Sequence, residues 1–153
     1  MADYIPSPEA RVAQQVDTYE KSGGTDGLTL VSRTTKKDTG LPVVIVTNRG
    51  WKTGAIRKTP LMRVCDGDRY VLIASLGGAP KHPLWYHNLK SDPEIKIQDA
   101  INIYEMRVRE VTRHQERLRL WKIAVAAFPP YEEYQQRTSR VIPVFLAEPI
   151  DQP

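Results

Sequence analysis

The succession of strand-forming segments is the feature that most restricts the fold of this chain. Runs rich in β-branched residues and runs that alternate apolar with polar residues follow one another, and the β-helix-β alternation of parallel sheets is missing. VVIVT at 43–47 suits a buried strand, and Asp66-Gly67-Asp68 is a strong hairpin signal between TPLMRVC and DRYVLIAS. We therefore expect an α+β fold with about six mostly antiparallel strands.

Helical segments flank and separate these strands. Ser7 can cap a helix at 8–22 with Pro8 in its first turn, and Gly23 and Gly24 stop it. Further helices are indicated at 83–93, 113–128 and 128–138. This arrangement favours a small closed or split barrel that carries its helices on the outside.

Size and charge limit the classes of function. The chain has 153 residues and a net charge of +4, which is below the excess typical of nucleic-acid-binding proteins. We expect a single domain over 1–153, with an N-terminal helix and lead-in at 1–27 and a barrel core at 28–150. The single cysteine, Cys65, excludes an internal disulfide and fits a reducing compartment.

No secretory signal and no apolar run long enough to cross a bilayer are visible, so a cytoplasmic location is expected. The amphipathic helix at 8–22 could dock on a bilayer surface, on a neighbouring subunit or on its own barrel, and the last is the default. Peripheral membrane contact and the choice between monomer and homodimer therefore stay open.

A basic loop separates two of the predicted strands. TNRGWKTGAIRKTP, residues 47–60, contains four cations, two glycines and no acid. Glycines let backbone come close to a ligand, and free N–H groups beside cations form an anion-binding concavity. The loop is not a P-loop, because it lacks that spacing. It either binds an anion or only solubilises the surface.

The segment SLGGAPKHPLWYHNLK, residues 75–90, offers bare backbone at its glycines and a helix start after them. Trp85 on this helix is more often a core residue than the wall of a cofactor site. Asn88 has poor helix propensity, which indicates that its amide is bound to something. His82 and His87 lack the further ligands of a zinc site, so we expect no metal.

An aromatic row ends the set of candidate residues. Tyr131 and Tyr134 are three apart and share a helix face, with Phe128 just before them. Such rings can stack on a flat substrate, and a phenol can hydrogen-bond to it. On pattern alone, inward packing of both tyrosines is the preferred interpretation.

Together these segments resemble a known family. GLPVVIVTNRGWKTGAIRKTPL, DGDRYVLIASLGGAPKHPLWYHNLKSDPEIKIQ and FPPYEEYQQRTSRVIPVFLAEP are similar to the deazaflavin-dependent nitroreductases of actinobacteria, the A subgroup of coenzyme F420-dependent reductases. The resemblance covers residues 19–149. It implies a split β-barrel related to FMN-binding, pyridoxamine-phosphate-oxidase-like proteins. It also implies binding of coenzyme F420, a deazaflavin with a phosphate and an anionic oligoglutamate tail.

The resemblance assigns roles to particular residues. It implies that the cofactor is held by Lys52, Thr53 and Arg57 at the phosphate and tail, by Pro60 and Leu61 beneath the ring, by Ser75, Leu76, Gly77, Gly78 and Ala79 along the ring face, and by Trp85 and Asn88 in the groove. Family members often carry basic residues where this chain has Trp51 and Leu76; Lys58 is the candidate that compensates. The acceptor side matches Met62, Phe128, Tyr131 and Tyr134. Because Phe128 lacks a hydroxyl, reduction of nitroimidazole prodrugs does not follow from the resemblance.

The resemblance therefore implies a reductase that transfers hydride from reduced coenzyme F420 to a planar acceptor such as a quinone, a nitroaromatic or an activated enone. Ser75, Tyr131 and Tyr134 would orient the acceptor or supply a proton. Two alternatives remain. The chain could store or deliver F420 without catalysis, or it could be a split-barrel protein that binds FMN, which is the less expected cofactor.

Overall fold

The computed structural model describes residues 2–150, and within them the chain forms four α-helices and eight strands. The elements are α1 (Ala10–Ser22), β1 (Thr29–Val31), β2 (Asp38–Arg49), β3 (Ile56–Met62), β4 (Cys65–Asp66), β5 (Arg69–Ile73), α2 (Leu84–Ser91), β6 (Glu94–Asp99), β7 (Asn102–Glu110), α3 (His114–Ala127), α4 (Pro130–Gln136) and β8 (Val144–Pro149). A short 3₁₀ turn, Leu76–Gly78, lies between β5 and α2.

The strands form one antiparallel sheet in the order β1-β2-β6-β7-β8-β5-β4, and β3 pairs with β2. The long strand β2 makes this possible, because it pairs with β1 near its start and with both β3 and β6 farther along. The sheet curls into a half-barrel with the helices outside it. The expected α+β class and split-barrel type of sheet are confirmed.

The run Val43–Val46 in β2 is buried on both faces of the sheet, with each side chain at most 2% exposed. Val44 and Val46 pack into the cluster that contains Trp85 and Phe145, whereas Val43 and Ile45 pack under α1. A continuous β-branched run, unlike an alternating one, is typical of such a strand.

The segment TPLMRVC does not form the single hairpin strand that its sequence predicts. Its first part is β3, which pairs with β2 from Val43 to Arg49. After Met62 the chain changes partner: the carbonyl of Val64 accepts the N–H of Val71 at 2.9 Å, and β4 then pairs with β5. The Asp66-Gly67-Asp68 turn was therefore correctly predicted, but the strand before it is only two residues long.

The helix α1 ends as predicted and begins later than predicted. Gly23 adopts a left-handed φ of 63° at its C-cap. Glu9 rather than Ser7 is the N-cap residue, and the Ser7 hydroxyl accepts the N–H of Glu9 ahead of the helix. Val16 and Tyr19 on its apolar face are each 1% exposed and pack on the barrel. Within residues 2–150, no helix has the length and hydropathy needed to cross a membrane.

Candidate functional site

A cleft of about 200 Å³ opens where the half-barrel meets the helices. Its walls come from distant parts of the chain: α1 at 11–15, β1 and its end at 30–33, β3 at 59–62, the end of β5 and the following turn at 73–77, and the aromatic row at 128–134. Pro83 and Trp85 complete the lining. More than half of this lining is apolar side chain, which suits a flat organic ligand.

The turn after β5 has an unusual backbone. Leu76, Gly77 and Gly78 have successive φ values of 46°, 64° and 82°. The left-handed region is open to glycine but strained for leucine. Ser75 before them is right-handed, so its N–H and the next two form the type of concavity that receives anions. Within residues 2–150, the N–H groups of Ser75, Leu76 and Gly77 donate to no acceptor, and all three residues line the cleft.

Gly78 brings this turn into direct contact with α4. A Cβ atom on Gly78 would lie 2.6 Å from the carbonyl oxygen of Tyr134 and 3.0 Å from its Cα. No side chain larger than hydrogen fits there without movement of one of the two elements. Gly78 therefore sets the distance between the turn and the aromatic row.

Arg140 binds the backbone carbonyls of this turn and of the residues beside it, and the sequence analysis did not identify it. Its guanidinium donates to the carbonyl oxygens of Ser75 at 2.7 Å, Ala79 at 2.8 Å and Ala74 at 3.1 Å. It also lies 3.1 Å from Nδ1 of His82. Burial lowers the pKa of the His82 imidazole, and the guanidinium adds to that effect. No pattern in the sequence marks an arginine that binds carbonyls more than sixty positions away.

The aromatic row both packs in the core and lines the cleft. Phe128 is 4% exposed, Tyr131 6% and Tyr134 4%, and the ring centroid of Tyr131 lies 5.0 Å from that of Phe128. The inward packing preferred from the pattern is therefore present beside a cleft-facing role. Within the described residues neither tyrosine hydroxyl has a hydrogen-bond partner. Burial raises the pKa of the Tyr131 phenol, and Tyr134 adds to the effect, so Tyr131 keeps its proton at neutral pH.

The basic loop predicted at 47–60 is shorter in the structure: only residues 50–55 connect β2 to β3, and Arg49, Arg57 and Lys58 lie on those two strands. Two of the four cations pair with acids from distant parts of the chain: Lys58 binds Glu20 at 2.6 Å, and Arg49 lies 4.0 Å from Asp92. The local sequence did not reveal these ion pairs. Within residues 2–150, Lys52 and Arg57 have no carboxylate within 4.0 Å. Of the four cations at 47–60, these two side chains are therefore the ones left for an anionic ligand.

Asn88 fastens the basic loop to α2. Its Oδ1 accepts the N–H of Trp51 at 3.0 Å, and its Nδ2 donates to Oδ1 of Asn48 at 2.8 Å. The expectation that this helical asparagine is bound to something is met by these two contacts. Within the loop, the Thr53 hydroxyl accepts the N–H of Ala55 at 3.1 Å.

The cleft thus brings together only part of the predicted set. The predicted residues that line it are Pro60, Leu61, Met62, Ser75, Leu76, Gly77, Trp85, Phe128, Tyr131 and Tyr134. Those that lie outside its lining are Lys52, Thr53, Arg57, Lys58, Gly78, Ala79 and Asn88. The wall formed by α1 and β1, with Arg11, Gln15 and Arg33, was not anticipated. Its residues carry no local signal, because only the packing of α1 on the barrel places them there.

Comparison with known proteins identifies the family. A family model described as F420H(2)-dependent quinone reductase matches residues 11–149. The F420H(2)-dependent quinone reductase Rv1261c of Mycobacterium tuberculosis (strain ATCC 25618 / H37Rv) is 39% identical over 107 residues, which are 69% of this chain and 72% of the relative.

Two solved structures are also similar. The F420-H2 dependent reductase FDR-A is 46% identical with a TM-score of 0.66, over 70% of this chain and 94% of its own. A domain-swapped dimer is 41% identical with a TM-score of 0.68, over 93% of this chain and 100% of its own. The family expected from the sequence motifs is thereby confirmed: the chain belongs to the F420H(2)-dependent quinone reductase family.

Proposed function

We propose that this protein binds reduced coenzyme F420 and reduces a quinone in the cleft. Family membership gives the cofactor and the reaction class. The observation that carries the assignment to this cleft is a set of donors without partners within residues 2–150: the residues whose backbone N–H groups are free in the turn after β5, and the two tyrosines of the aromatic row, line one largely apolar space. When bound, the reduced deazaflavin supplies the hydride.

The chain's own residues fit such a ligand in two places. The lining at Pro60, Leu61 and Trp85 is apolar, as a ring system requires. Arg57 lies near the start of β3, the strand that carries Pro60, and Lys52 lies in the loop before it. Leu61 follows Arg57 by four positions along this strand, which is about 13 Å at the usual rise per residue. One extended ligand could therefore place its ring in the cleft and its phosphate and anionic tail at the loop.

Lys58 is a weaker candidate for the anionic part. Its ammonium is bound to Glu20 at 2.6 Å and lies over the ring of Tyr4 at 4.9 Å. To bind a phosphate it would have to give up the carboxylate. We therefore assign the anionic part to Lys52 and Arg57, and assign to Asn88 the task of holding the loop that carries Lys52.

The acceptor is assigned to the side of the cleft formed by the aromatic row and Met62. Tyr131 keeps its proton at neutral pH and can donate a hydrogen bond to an acceptor oxygen. The Ser75 hydroxyl has no partner within residues 2–150 and lies on the same cleft, so it is the second candidate proton donor. A quinone fits this arrangement, since two-electron reduction places charge on its oxygens, which are where donors are needed.

The first experiment measures oxidation of reduced F420 with menadione as acceptor. We expect turnover that depends on both substances. Nitroaromatic and enone acceptors are tested in the same assay. If the protein reduces those compounds but does not reduce menadione, the proposed acceptor class changes from quinones to nitroaromatics or enones. Tight F420 binding without reduction of any acceptor would favour storage or delivery, and binding of FMN instead of F420 would refute the cofactor.

The second experiment tests the anionic end. Lys52→Ala with Arg57→Ala should weaken F420 binding by about 3–6 kcal/mol if each cation makes one charge-assisted hydrogen bond. The matched control is Arg113→Ala with Lys122→Ala, which removes two exposed cations from outside the cleft. Equal affinities for the two double variants in a fluorescence-quenching titration would show that the loop is only solvated.

The oligomeric state is a narrower part of the proposal. One structural relative is a domain-swapped dimer and aligns over 93% of this chain. We propose a homodimer, and sedimentation equilibrium of the full chain tests it. A single species of monomer mass across the concentration range would contradict it.

A further inference from the structure

Arg140 donates three hydrogen bonds to the backbone of residues 74–79, the segment that contains the cleft-lining turn. It lies between α4 and β8, and three of its donors meet carbonyl oxygens of one short stretch, at Ala74, Ser75 and Ala79. Only a planar guanidinium carries enough donors in a fixed fork to do this with one side chain. The guanidinium of this half-buried arginine therefore binds backbone carbonyls, and within residues 2–150 it has no carboxylate partner.

The position of Arg140 is itself fixed. Its carbonyl oxygen accepts Nε2 of Gln135 at 2.8 Å, and its own N–H donates to the Thr138 hydroxyl at 3.2 Å. The other end of the Gln135 amide accepts the N–H of Ile142 at 2.9 Å. The amide of Gln135 in α4 thus holds the connecting segment at two points, at Arg140 itself and at Ile142 two residues later.

These contacts determine which way two peptide groups face. In a trans peptide the C=O and the following N–H point to opposite sides. Because Arg140 binds the carbonyls of Ala74 and Ser75, the N–H groups of Ser75 and Leu76 point away from it. Both residues line the cleft, and within residues 2–150 neither N–H has an acceptor.

The same contacts explain how strained backbone persists in the turn. Leu76 has a φ of 46°, which a leucine rarely adopts. Such a conformation survives only where its surroundings over-determine it, and it is common at ligand sites. Charge-assisted bonds on both sides of Leu76, to Ser75 and to Ala79, supply that constraint.

We propose that Arg140 is a positioning residue: by binding the carbonyls of Ala74, Ser75 and Ala79, it presents the N–H groups of Ser75 and Leu76 to an oxygen of the bound cofactor ring that carries negative charge. The proposal rests on the proposed function. The two N–H dipoles point their positive ends into the cleft, and the Arg140 guanidinium on the opposite side of the turn is also positive. Both therefore stabilise a partly anionic ring oxygen at this position.

The wild-type protein provides the first test. Protein labelled with ¹⁵N is titrated with coenzyme F420, and the amide signals of Ser75 and Leu76 are followed. We expect their proton resonances to move downfield and their hydrogen exchange to slow as the cofactor binds. If F420 binds and is turned over while both amides stay unchanged, this inference is wrong and the proposed function stands. If F420 does not bind at all, both are wrong.

Substitution provides the second test. Arg140→Gln should shift the amide signals of residues 74–79 in the cofactor-free protein and lower kcat with menadione by about tenfold or more. KM for menadione should change less than about threefold, since Arg140 does not reach the acceptor. Arg140→Lys should restore part of kcat, because it keeps the charge and some of the donors. Arg119→Gln, which removes an exposed arginine paired with Asp66, is the matched control.

A folded Arg140→Gln variant with wild-type kcat would overturn the inference, even if its melting temperature fell. A merely structural role would lower stability without changing kcat per folded molecule. If Arg140→Gln does not fold, the amide titration of the wild-type protein decides. Unchanged amide signals of Ser75 and Leu76 on F420 binding would overturn the inference, and downfield shifts would support it.

Discussion

Substitution of Gly78 tests how strongly the geometry of the cleft depends on the contact between the turn and Tyr134 of α4. Gly78→Ala adds a single methyl group at a position where Cβ would lie 2.6 Å from the carbonyl oxygen of Tyr134. Ordinary contact is about 3.5 Å, so the turn and α4 must separate by roughly 1 Å. The substitution therefore moves the aromatic row relative to the turn without removing any side chain or N–H group to which we assign a role.

The expected loss of stability has two parts. Gly78 has a φ of 82°, and a left-handed non-glycine residue costs about 1–2 kcal/mol. Overpacking against α4 adds about 1–3 kcal/mol. Together these give roughly 2–5 kcal/mol, which urea denaturation followed by tryptophan fluorescence can resolve.

Gly67→Ala is the matched control. Gly67 has a φ of 66°, and a Cβ there would meet nothing within 4 Å. This variant should lose only the backbone part, about 1–2 kcal/mol. We further expect Gly78→Ala to lower kcat with menadione by about tenfold to a hundredfold, because a misplacement of about 1 Å has that effect on a positioned site. Equal stability loss in the two variants, with equal kcat, would refute the reasoning.

Three further outcomes are expected. Tyr134→Phe removes a hydroxyl without a partner in residues 2–150, so stability should stay within about 0.5 kcal/mol and F420 affinity should be unchanged, while acceptor kinetics change; unfolding of this variant would contradict that. Asn88→Ala removes the partners of the Trp51 N–H and of Oδ1 of Asn48, which should cost about 1–3 kcal/mol and speed amide exchange at Trp51; a wild-type exchange rate there would count against the anchoring role. The pKa of His82 is lowered in the folded state, so the stability that neutral His82 contributes is present above its ordinary value of 6.5 and is lost as pH falls through the lower folded pKa. The difference in unfolding free energy between wild type and His82→Gln should therefore shrink on acidification through that range, and a pH-independent difference would contradict the effect.

Local sequence patterns correctly predicted the elements whose conformation depends mainly on neighbouring residues. The β-branched run at 43–46 forms a strand buried on both faces, and Gly23 ends α1 in a left-handed conformation. The Asp66-Gly67-Asp68 signal correctly marked a tight turn. The boundaries that failed are those set by tertiary pairing: β3 ends where its pairing with β2 ends, although the sequence continues in the same pattern.

The lining of the cleft was predictable where the family motifs run through it, as at Ser75, Leu76 and Pro60. It was not predictable where contacts join distant segments. Lys58 and Glu20 are separated by 38 positions, and Arg140 and Ser75 by 65. A charge count over the loop therefore overstated its free charge. For the same reason the arginine behind the turn escaped notice, since nothing in its neighbours distinguishes it from a solvated one.

The cleft has walls from the first helix, the first strand, the middle of the chain and its last helices, so it exists only when the whole chain is folded. A ligand that occupies it binds the native state alone and shifts the equilibrium by mass action, by about 2.7 kcal/mol at a hundredfold excess over its Kd. The amount of this protein in a cell should therefore follow the supply of its cofactor: scarcity would enlarge the unfolded fraction that proteases degrade, and abundance would protect it.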